Sequence, residues 1–117
     1  MNKAFYLSTC DTCKRILSKL NLPEDLKLQD IKKDPISEED LDFIYNKTKS
    51  YELLLNKRSQ KYKAEGLKDE NLSEEEIKSY ILSHYTFLKR PIFVYGDNAF
   101  IGNDKQTLEA LKSFFNE

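Results

Sequence analysis

The stretch that decides the fold is KAFYLSTCDTCK, at residues 3–14. Lys3 to Ser8 are predicted as a short strand, and Asp11 to Leu20 as a helix, because apolar residues recur there at helical spacing. Cys10 lies in the turn between the two. From Leu26 to Ile31 apolar and polar residues alternate, which is the period of a strand with one buried face. Strand, helix and strand in this order predict a βαβ unit with Cys10 after its first strand.

The middle of the chain carries helical signals. Serine caps and apolar stripes predict helices over about 37–47 and 73–85. Residues 53–62 combine an apolar patch with a basic one, and they are predicted as a loop that leads into a short helix. We therefore expect a helical insert at roughly 33–87.

The end of the chain predicts a hairpin and a closing helix. Strand character at 91–95 and 99–102 flanks a turn at Gly96-Asp97-Asn98, and residues 104–115 carry a helical stripe behind an Asp cap. The order β-α-β, helical insert, β-β-α predicts an α/β fold, with a mixed four-stranded sheet flanked by helices. At this length we expect a single domain over residues 1–117.

Composition and charge exclude several classes of function. Lys and Arg number 19 against 20 Asp and Glu, so the net charge of -1 gives no bulk attraction to nucleic acid or to an anionic membrane. Apolar runs are short, and the first residues do not form a signal peptide, so we expect a soluble cytoplasmic protein. Two Cys and one His cannot supply the four ligands of a structural zinc site, so no bound metal is expected.

Cys10 has the surroundings of a reactive thiol. An unperturbed Cys, with a pKa of about 8.5, is mostly protonated near neutral pH. The N–H groups that start the next helix favour an anion at this turn, and Lys14 and Arg15 add positive charge, whereas Asp11 opposes it. We therefore expect a lowered pKa for Cys10. Cys13, one helical turn further on, is placed either to resolve an adduct on Cys10 or simply to pack against the sheet.

Four local patterns carry a resemblance to a known family. They are TCDTCK at 9–14, NKRS at 56–59, LKRPI at 88–92 and FIGN at 100–103. Together they resemble the arsenate reductase/Spx family over nearly the whole chain, and this resemblance implies a thioredoxin-like fold with a helical insert.

The resemblance also implies roles for individual residues. Cys10 matches the nucleophile of the family, and Arg90 matches the arginine that helps to bind an oxyanion or a thiolate. The family's Arg-Pro bond is cis, which implies a cis bond between Arg90 and Pro91. The candidate catalytic residues are thus Cys10, Cys13 and Arg90, and the candidate substrate-binding residues are Thr12, Lys14, Arg58 and Pro91.

Departures from the family pattern leave the function open. Arsenate reductases of this type use three arginines, and the positions matching the other two hold Asn56, with Arg58 two residues later, and Asn103. The Cys-Asp-Thr loop resembles an uncharacterised branch of the family for which a glutathione-dependent reaction is proposed. One hypothesis is an oxidoreductase that reduces an oxyanion or a disulfide, with glutathione or a glutaredoxin-like partner as electron source and no bound cofactor.

The other hypotheses use the same residues differently. The C-x-x-C and Asn-Lys-Arg-Ser patterns resemble the Spx branch, a redox-sensing regulator that binds the RNA polymerase alpha subunit through a switch that would here be a Cys10–Cys13 disulfide. A plain thioredoxin-fold module without activity is the third hypothesis.

Overall fold

A mixed four-stranded sheet forms the framework that carries Cys10. The strands are β1 (Asn2–Tyr6), β2 (Lys27–Asp30), β3 (Ile92–Tyr95) and β4 (Asn98–Ile101). The central strand β1 pairs parallel with β2 on one side and antiparallel with β3 on the other, and β3 pairs antiparallel with β4, so the order is β2-β1-β3-β4. The predicted mixed four-stranded α/β arrangement is confirmed.

The computed structural model describes residues 1–116, which divide into two units. The first unit is Met1–Asp34 together with the chain from Arg90 onward, and it holds the sheet, α1 (Asp11–Ser18) and α5 (Lys105–Phe115). The second unit is Pro35–Lys89, the part of the chain on which the insert predicted at roughly 33–87 falls. In residues 1–116 no helix is both long and apolar enough to cross a membrane.

One face of the sheet is covered by α1 and α5. The buried residues that meet there come from the strands, from both helices and from the chain before β2, namely Ala4, Ile16, Leu20, Leu26, Phe93, Leu111 and Phe115. On the strands the alternate residues Phe5, Ile92 and Val94 are also fully buried, so β1 and β3 are enclosed on both faces. Burying one such large apolar side chain stabilises a fold by about 1.5–3 kcal/mol.

The hairpin turns through a glycine in the left-handed region. Tyr95 pairs with Asn98, which leaves a two-residue loop of Gly96 and Asp97. Gly96 has a φ of 60°, and a glycine with positive φ at the first loop position is the pattern of a type II′ turn. Asn98, predicted as part of the turn, is already in β4.

The second unit consists of short helices that begin at side-chain caps. They are α2 (Glu38–Thr48), α3 (Gln60–Ala64) and α4 (Glu74–Ser83), with single 3-10 turns at Glu52–Leu54, Leu67–Asp69 and Tyr85–Phe87. Ser37, Ser59 and Ser73 each accept a hydrogen bond from an N–H of the first turn of the helix that follows. The loop predicted at 53–62 does lead into a short helix, α3.

Helix α4 ends earlier than the sequence predicts. Its last residue is Ser83 rather than Tyr85, because His84 is extended, with φ -159° and ψ 138°. The His84 ring then accepts a hydrogen bond from the Thr86 N–H at 3.2 Å and so starts the next 3-10 turn. Because His84 caps the start of the 3-10 turn Tyr85–Phe87, α4 ends before it, although the apolar stripe continues.

The burial pattern of β2 differs from the predicted alternation. Leu28 is 47% exposed, whereas Gln29 is only 6% exposed and its side-chain N–H group donates to the Asp34 carbonyl at 2.9 Å. The prediction of one buried apolar face is therefore wrong at Leu28. The reason is that β2 is an edge strand, where the apolar cover of the sheet ends.

Two leucine-to-alanine variants test this account of the core. We expect Leu111→Ala to lower the free energy of unfolding by about 2–5 kcal/mol, because Leu111 is fully buried between α5 and the sheet. The matched change Leu28→Ala should lower it by less than about 1 kcal/mol. Urea unfolding followed by circular dichroism measures both, and equal losses would contradict the assignment of Leu28 to an exposed edge.

Candidate active site

Cys10 occupies the turn that joins β1 to α1. The Cys10 N–H donates to the Leu7 carbonyl at 3.0 Å, and this bond closes the turn. Cys10 itself is extended and is the N-cap residue of α1, and the Lys14 N–H donates to its carbonyl at 3.2 Å as the first helical hydrogen bond. Cys10, a partly exposed residue, therefore lies at the N-terminus of a helix, where unpaired N–H groups favour a negative charge.

Asp30, at the end of β2, holds this turn from the neighbouring strand. Its Oδ1 accepts hydrogen bonds from the N–H groups of Ser8 and Lys32, each at 3.2 Å. Tyr6 pairs with Asp30 in the parallel register, so both strands end at the same edge of the sheet. Partial burial favours the protonated carboxyl, but the hydrogen bonds from Ser8 and Lys32 outweigh it and lower the pKa of Asp30.

Asp30 is a residue of the site that is not among the residues predicted from the sequence. It could have been found from its position: it is an acidic residue at the carboxyl end of the second strand of a βαβ unit, where the neighbouring parallel strand also ends. Such a residue lies beside the turn after the first strand.

The surroundings of Cys10 favour its thiolate. Partial burial alone would raise its pKa, but the N–H groups of Cys13 and Thr12, the Cys13 thiol and the positive charge of Arg90 all stabilise the anion. Their combined effect lowers the pKa of Cys10, in the direction that the sequence predicts.

Cys13 is perturbed in the opposite direction. Its side chain is fully buried in the first turn of α1, and burial raises the pKa of the Cys13 thiol to about 11. The hydrogen bond to Cys10 and the negative charge on Cys10 also favour the protonated form, while the Leu7 N–H and Arg90 oppose them. The two free thiols are therefore an unequal pair, in which Cys10 ionises first and Cys13 donates a hydrogen bond to it.

Arg90 and Pro91 enter the site through a cis peptide bond, as the family resemblance implied. The Asn103 side chain donates to the Arg90 carbonyl at 3.4 Å, and the Gly102 N–H donates to the Pro91 carbonyl at 2.9 Å. Gly102 has a φ of 87°, a conformation that favours glycine. The segment after β4 thus holds the Arg-Pro pair at the start of β3.

The other predicted substrate-binding residues have different positions. The Thr12 backbone N–H stabilises the Cys10 thiolate as a hydrogen-bond donor. The Thr12 hydroxyl accepts a long hydrogen bond, at 3.5 Å, from the Arg15 guanidinium. Lys14 contributes its backbone to the turn, and its side chain is exposed. Arg58 is exposed in the second unit, where its N–H donates to the Asn56 side chain at 3.1 Å. The structure therefore brings Cys10, Cys13, Thr12 and Arg90 together within one unit.

The two asparagines at the positions of family arginines bind backbone groups. Asn103 donates to Arg90 as described, and in the second unit the Asn56 amide donates to the Thr86 carbonyl at 3.3 Å while its oxygen accepts from the Arg58 N–H. Across residues 1–116, no group of three or more His, Cys, Asp or Glu side chains is placed to hold a metal ion.

A model of the ArsC family matches residues 5–111, whereas no curated protein matches the sequence. A structure from Streptococcus mutans described as a possible arsenate reductase is 28% identical, with a TM-score of 0.70, and the match covers 92% of this chain and 96% of that one. An arsenate reductase from Vibrio cholerae is 18% identical, with a TM-score of 0.75 and coverage of 96% and 97%.

A further structure, of an arsenate reductase related protein from Brucella melitensis, is 22% identical, with a TM-score of 0.68 and coverage of 94% of this chain and 93% of that one. At identities below 25% the Vibrio cholerae and Brucella melitensis structures show the fold alone, and they agree with the predicted thioredoxin-like arrangement. The family match spans most of the chain and includes the Cys10 turn, the Arg90-Pro91 pair and the segment that holds it. The chain belongs to the ArsC family.

Proposed function

We propose that this protein is a thiol-dependent oxidoreductase in which Cys10 is the nucleophile. The observation that carries the proposal is the convergence of two backbone N–H groups, the Cys13 thiol and the Arg90 charge on the thiol of Cys10, a partly exposed residue. A thiolate is the reactive form of cysteine, so an environment that lowers the pKa of Cys10 increases the reactive fraction near neutral pH.

With a disulfide as substrate, the reaction is two thiol exchanges. The Cys10 thiolate attacks one substrate sulfur, forms a mixed disulfide and releases the other sulfur as a thiolate. Cys13 then attacks the Cys10 sulfur, releases the second substrate thiolate and closes a Cys10–Cys13 disulfide. The negative charge on Cys10 is lost in the first step, and with it one of the causes that raise the pKa of Cys13, so the resolving thiol ionises more easily at the step that needs it.

Glutathione or a glutaredoxin-like protein is the proposed electron source. Two external thiols must reduce the Cys10–Cys13 disulfide, the first forming a mixed disulfide and the second releasing it as an oxidised pair. Cys10 is partly exposed whereas Cys13 is fully buried, so the external thiol attacks at Cys10.

Disulfides fit the site better than arsenate does. Reduction of arsenate would begin with attack of Cys10 on arsenic, displacement of an oxygen as water, and release of arsenite as two thiols form a disulfide. The oxyanion would need several charged hydrogen-bond donors, and Asn56 and Asn103 stand where the related enzymes have arginines. Both asparagines bind backbone carbonyls instead, so Arg90 alone of the three matching positions supplies charge.

An Spx-like regulator is the second candidate function. It is favoured by the hydrogen bond between Cys10 and Cys13, since the same two sulfurs that complete a catalytic cycle also form a reversible switch. In that case oxidation would change binding to the RNA polymerase alpha subunit. Pull-down with the C-terminal domain of that subunit distinguishes the two functions. If the protein binds it in neither the oxidised nor the reduced state, the regulator function is excluded.

The ionisation of Cys10 can be measured by alkylation. We expect the rate of iodoacetamide labelling of Cys10 to rise with pH, with a midpoint below the value of about 8.5 for an ordinary cysteine. Cys13→Ala should move this midpoint to higher pH because it removes a hydrogen-bond donor to the thiolate, whereas Cys13→Ser retains a hydroxyl donor and should move it less. A wild-type midpoint at or above that of free cysteine contradicts the proposed nucleophile.

The role of Cys13 is tested by oxidation. After treatment with glutathione disulfide we expect the intact wild-type mass to decrease by two hydrogen atoms, because Cys13 displaces glutathione from Cys10. Cys13→Ser should instead retain one glutathione on Cys10, and Cys10→Ser should retain none. A stable glutathione adduct on the wild-type protein identifies a one-thiol cycle in which Cys13 is passive.

Turnover tests the function itself. We expect glutathione-dependent reduction of a small mixed disulfide to be lost in Cys10→Ser, and Arg90→Gln to lower kcat/KM by about 10–100-fold because one charge that stabilises the thiolate is removed. Lys89→Gln makes the same charge change one residue away and should retain wild-type activity. Arsenate should be reduced far more slowly than the disulfide, and arsenate turnover equal to that of the disulfide contradicts the preference for disulfides.

A further inference from the structure

A groove lies between α1 and α5, in the same unit as Cys10. Its volume is about 280 Å³, just below the range of about 300–1,000 Å³ typical of sites for drug-sized ligands. Its floor is apolar and is formed by Ile16, Leu20 and Leu111, which are 7%, 9% and 0% exposed and belong to the core beneath the helices. A floor made of core side chains is rigid, and it suits an aliphatic chain.

The rim of the groove is basic. Arg15, Lys19 and Lys112 line it, and its described lining includes no carboxylate. All three side chains lie on exposed residues, and within residues 1–116 none of them forms an ion pair. Arg15, in the last turn of α1, and Lys19, at its C-cap, are four residues apart, a spacing at which like charges on a helix repel each other. An anion bound between the two helices would relieve this repulsion and pair all three cations.

One end of the groove is lined by Thr12, which lies in the first turn of α1, two residues after Cys10. The Thr12 backbone N–H is one of the groups that stabilise the Cys10 thiolate. From Thr12 to Ser18 helix α1 rises about 9 Å, at about 1.5 Å per residue, and Lys19 follows at its C-cap. A ligand that lies along α1 would thus have one end at Thr12, two residues from Cys10 in the sequence, and its other end among the cations.

We propose that this groove binds an aliphatic carboxylate, as the non-reacting part of the thiol or disulfide that exchanges with Cys10. The inference rests on the proposed function for its link to Cys10. The apolar floor accepts the hydrocarbon chain, and Arg15, Lys19 and Lys112 recognise the carboxylate. Specificity for substrate then comes from a surface that is separate from the reacting sulfur.

Octanoate is a suitable probe, with octanamide as its neutral counterpart of matching size. Titration of the full-length reduced protein, followed by two-dimensional amide NMR, should show octanoate shifting the signals of Thr12, Leu20 and Lys112. Octanamide should bind about tenfold more weakly, which corresponds to about 1.4 kcal/mol. The double change Lys19→Gln with Lys112→Gln should weaken octanoate binding by about tenfold and leave octanamide binding unchanged.

The control variant is Lys27→Gln with Lys105→Gln, which removes the same charge from two exposed positions outside the groove lining. It should bind octanoate as the wild-type protein does. Equal affinity for octanoate and octanamide, equal weakening in both double variants, or no shift at Thr12 would each overturn the inference.

Iodoacetamide labelling of Cys10 separates this inference from the proposed function, because that small neutral reagent does not need the groove. Slow labelling with intact octanoate binding refutes the reactive thiol and the link of the groove to it, leaving an anion-binding groove. Rapid labelling without octanoate binding refutes the groove and leaves the thiol.

Discussion

Parallel pairing of β1 with β2 is the constraint on which the site depends. Because Tyr6 pairs with Asp30 in register, both strands end at the same edge of the sheet, and the Asp30 carboxylate reaches the Ser8 N–H. The turn that follows is then closed by the bond from the Cys10 N–H to the Leu7 carbonyl, and α1 begins at Cys10. Any slip in this register would separate the carboxylate from the turn and leave the position of the sulfur undetermined.

The turn gives two cysteines of one motif opposite properties. Cys10 lies at the helix terminus, where N–H groups and the Arg90 charge reach its sulfur, whereas Cys13 lies inside the first turn, where burial dominates. Since the two side chains are hydrogen-bonded, ionisation of one opposes ionisation of the other. The two thiols therefore differ without any ligand: Cys10 is the one that ionises first, and Cys13 keeps its proton and donates a hydrogen bond to it.

Local signals account for the parts of this structure that the sequence predicts. Serine and aspartate caps place the starts of α2, α4 and α5, the glycine at position 96 places the hairpin turn, and the C-x-x-C motif after an apolar strand places Cys10 at a helix start. The cis Arg90-Pro91 bond follows from the family resemblance rather than from any local signal.

Features that depend on contacts between residues distant in the sequence cannot be predicted from such local patterns. Asp30 meets Ser8 only through the sheet, Leu28 is exposed because its strand lies at the edge, and Asn56 and Asn103 bind backbone groups that the sequence does not place beside them.

The residue that caps α1 also bears on the stability of that helix. Serine, threonine, aspartate and asparagine are the residues that best cap a helix, and the other long helices of the chain begin with serine or aspartate. Helix α1 begins instead with a cysteine, whose sulfur is a weaker hydrogen-bond acceptor than an oxygen. Thermostability selected without regard to activity would therefore favour replacing Cys10 by an oxygen-bearing residue. The proposed thiol chemistry requires a sulfur at this position, so under that proposal the helix start would be less stable than an oxygen cap would make it.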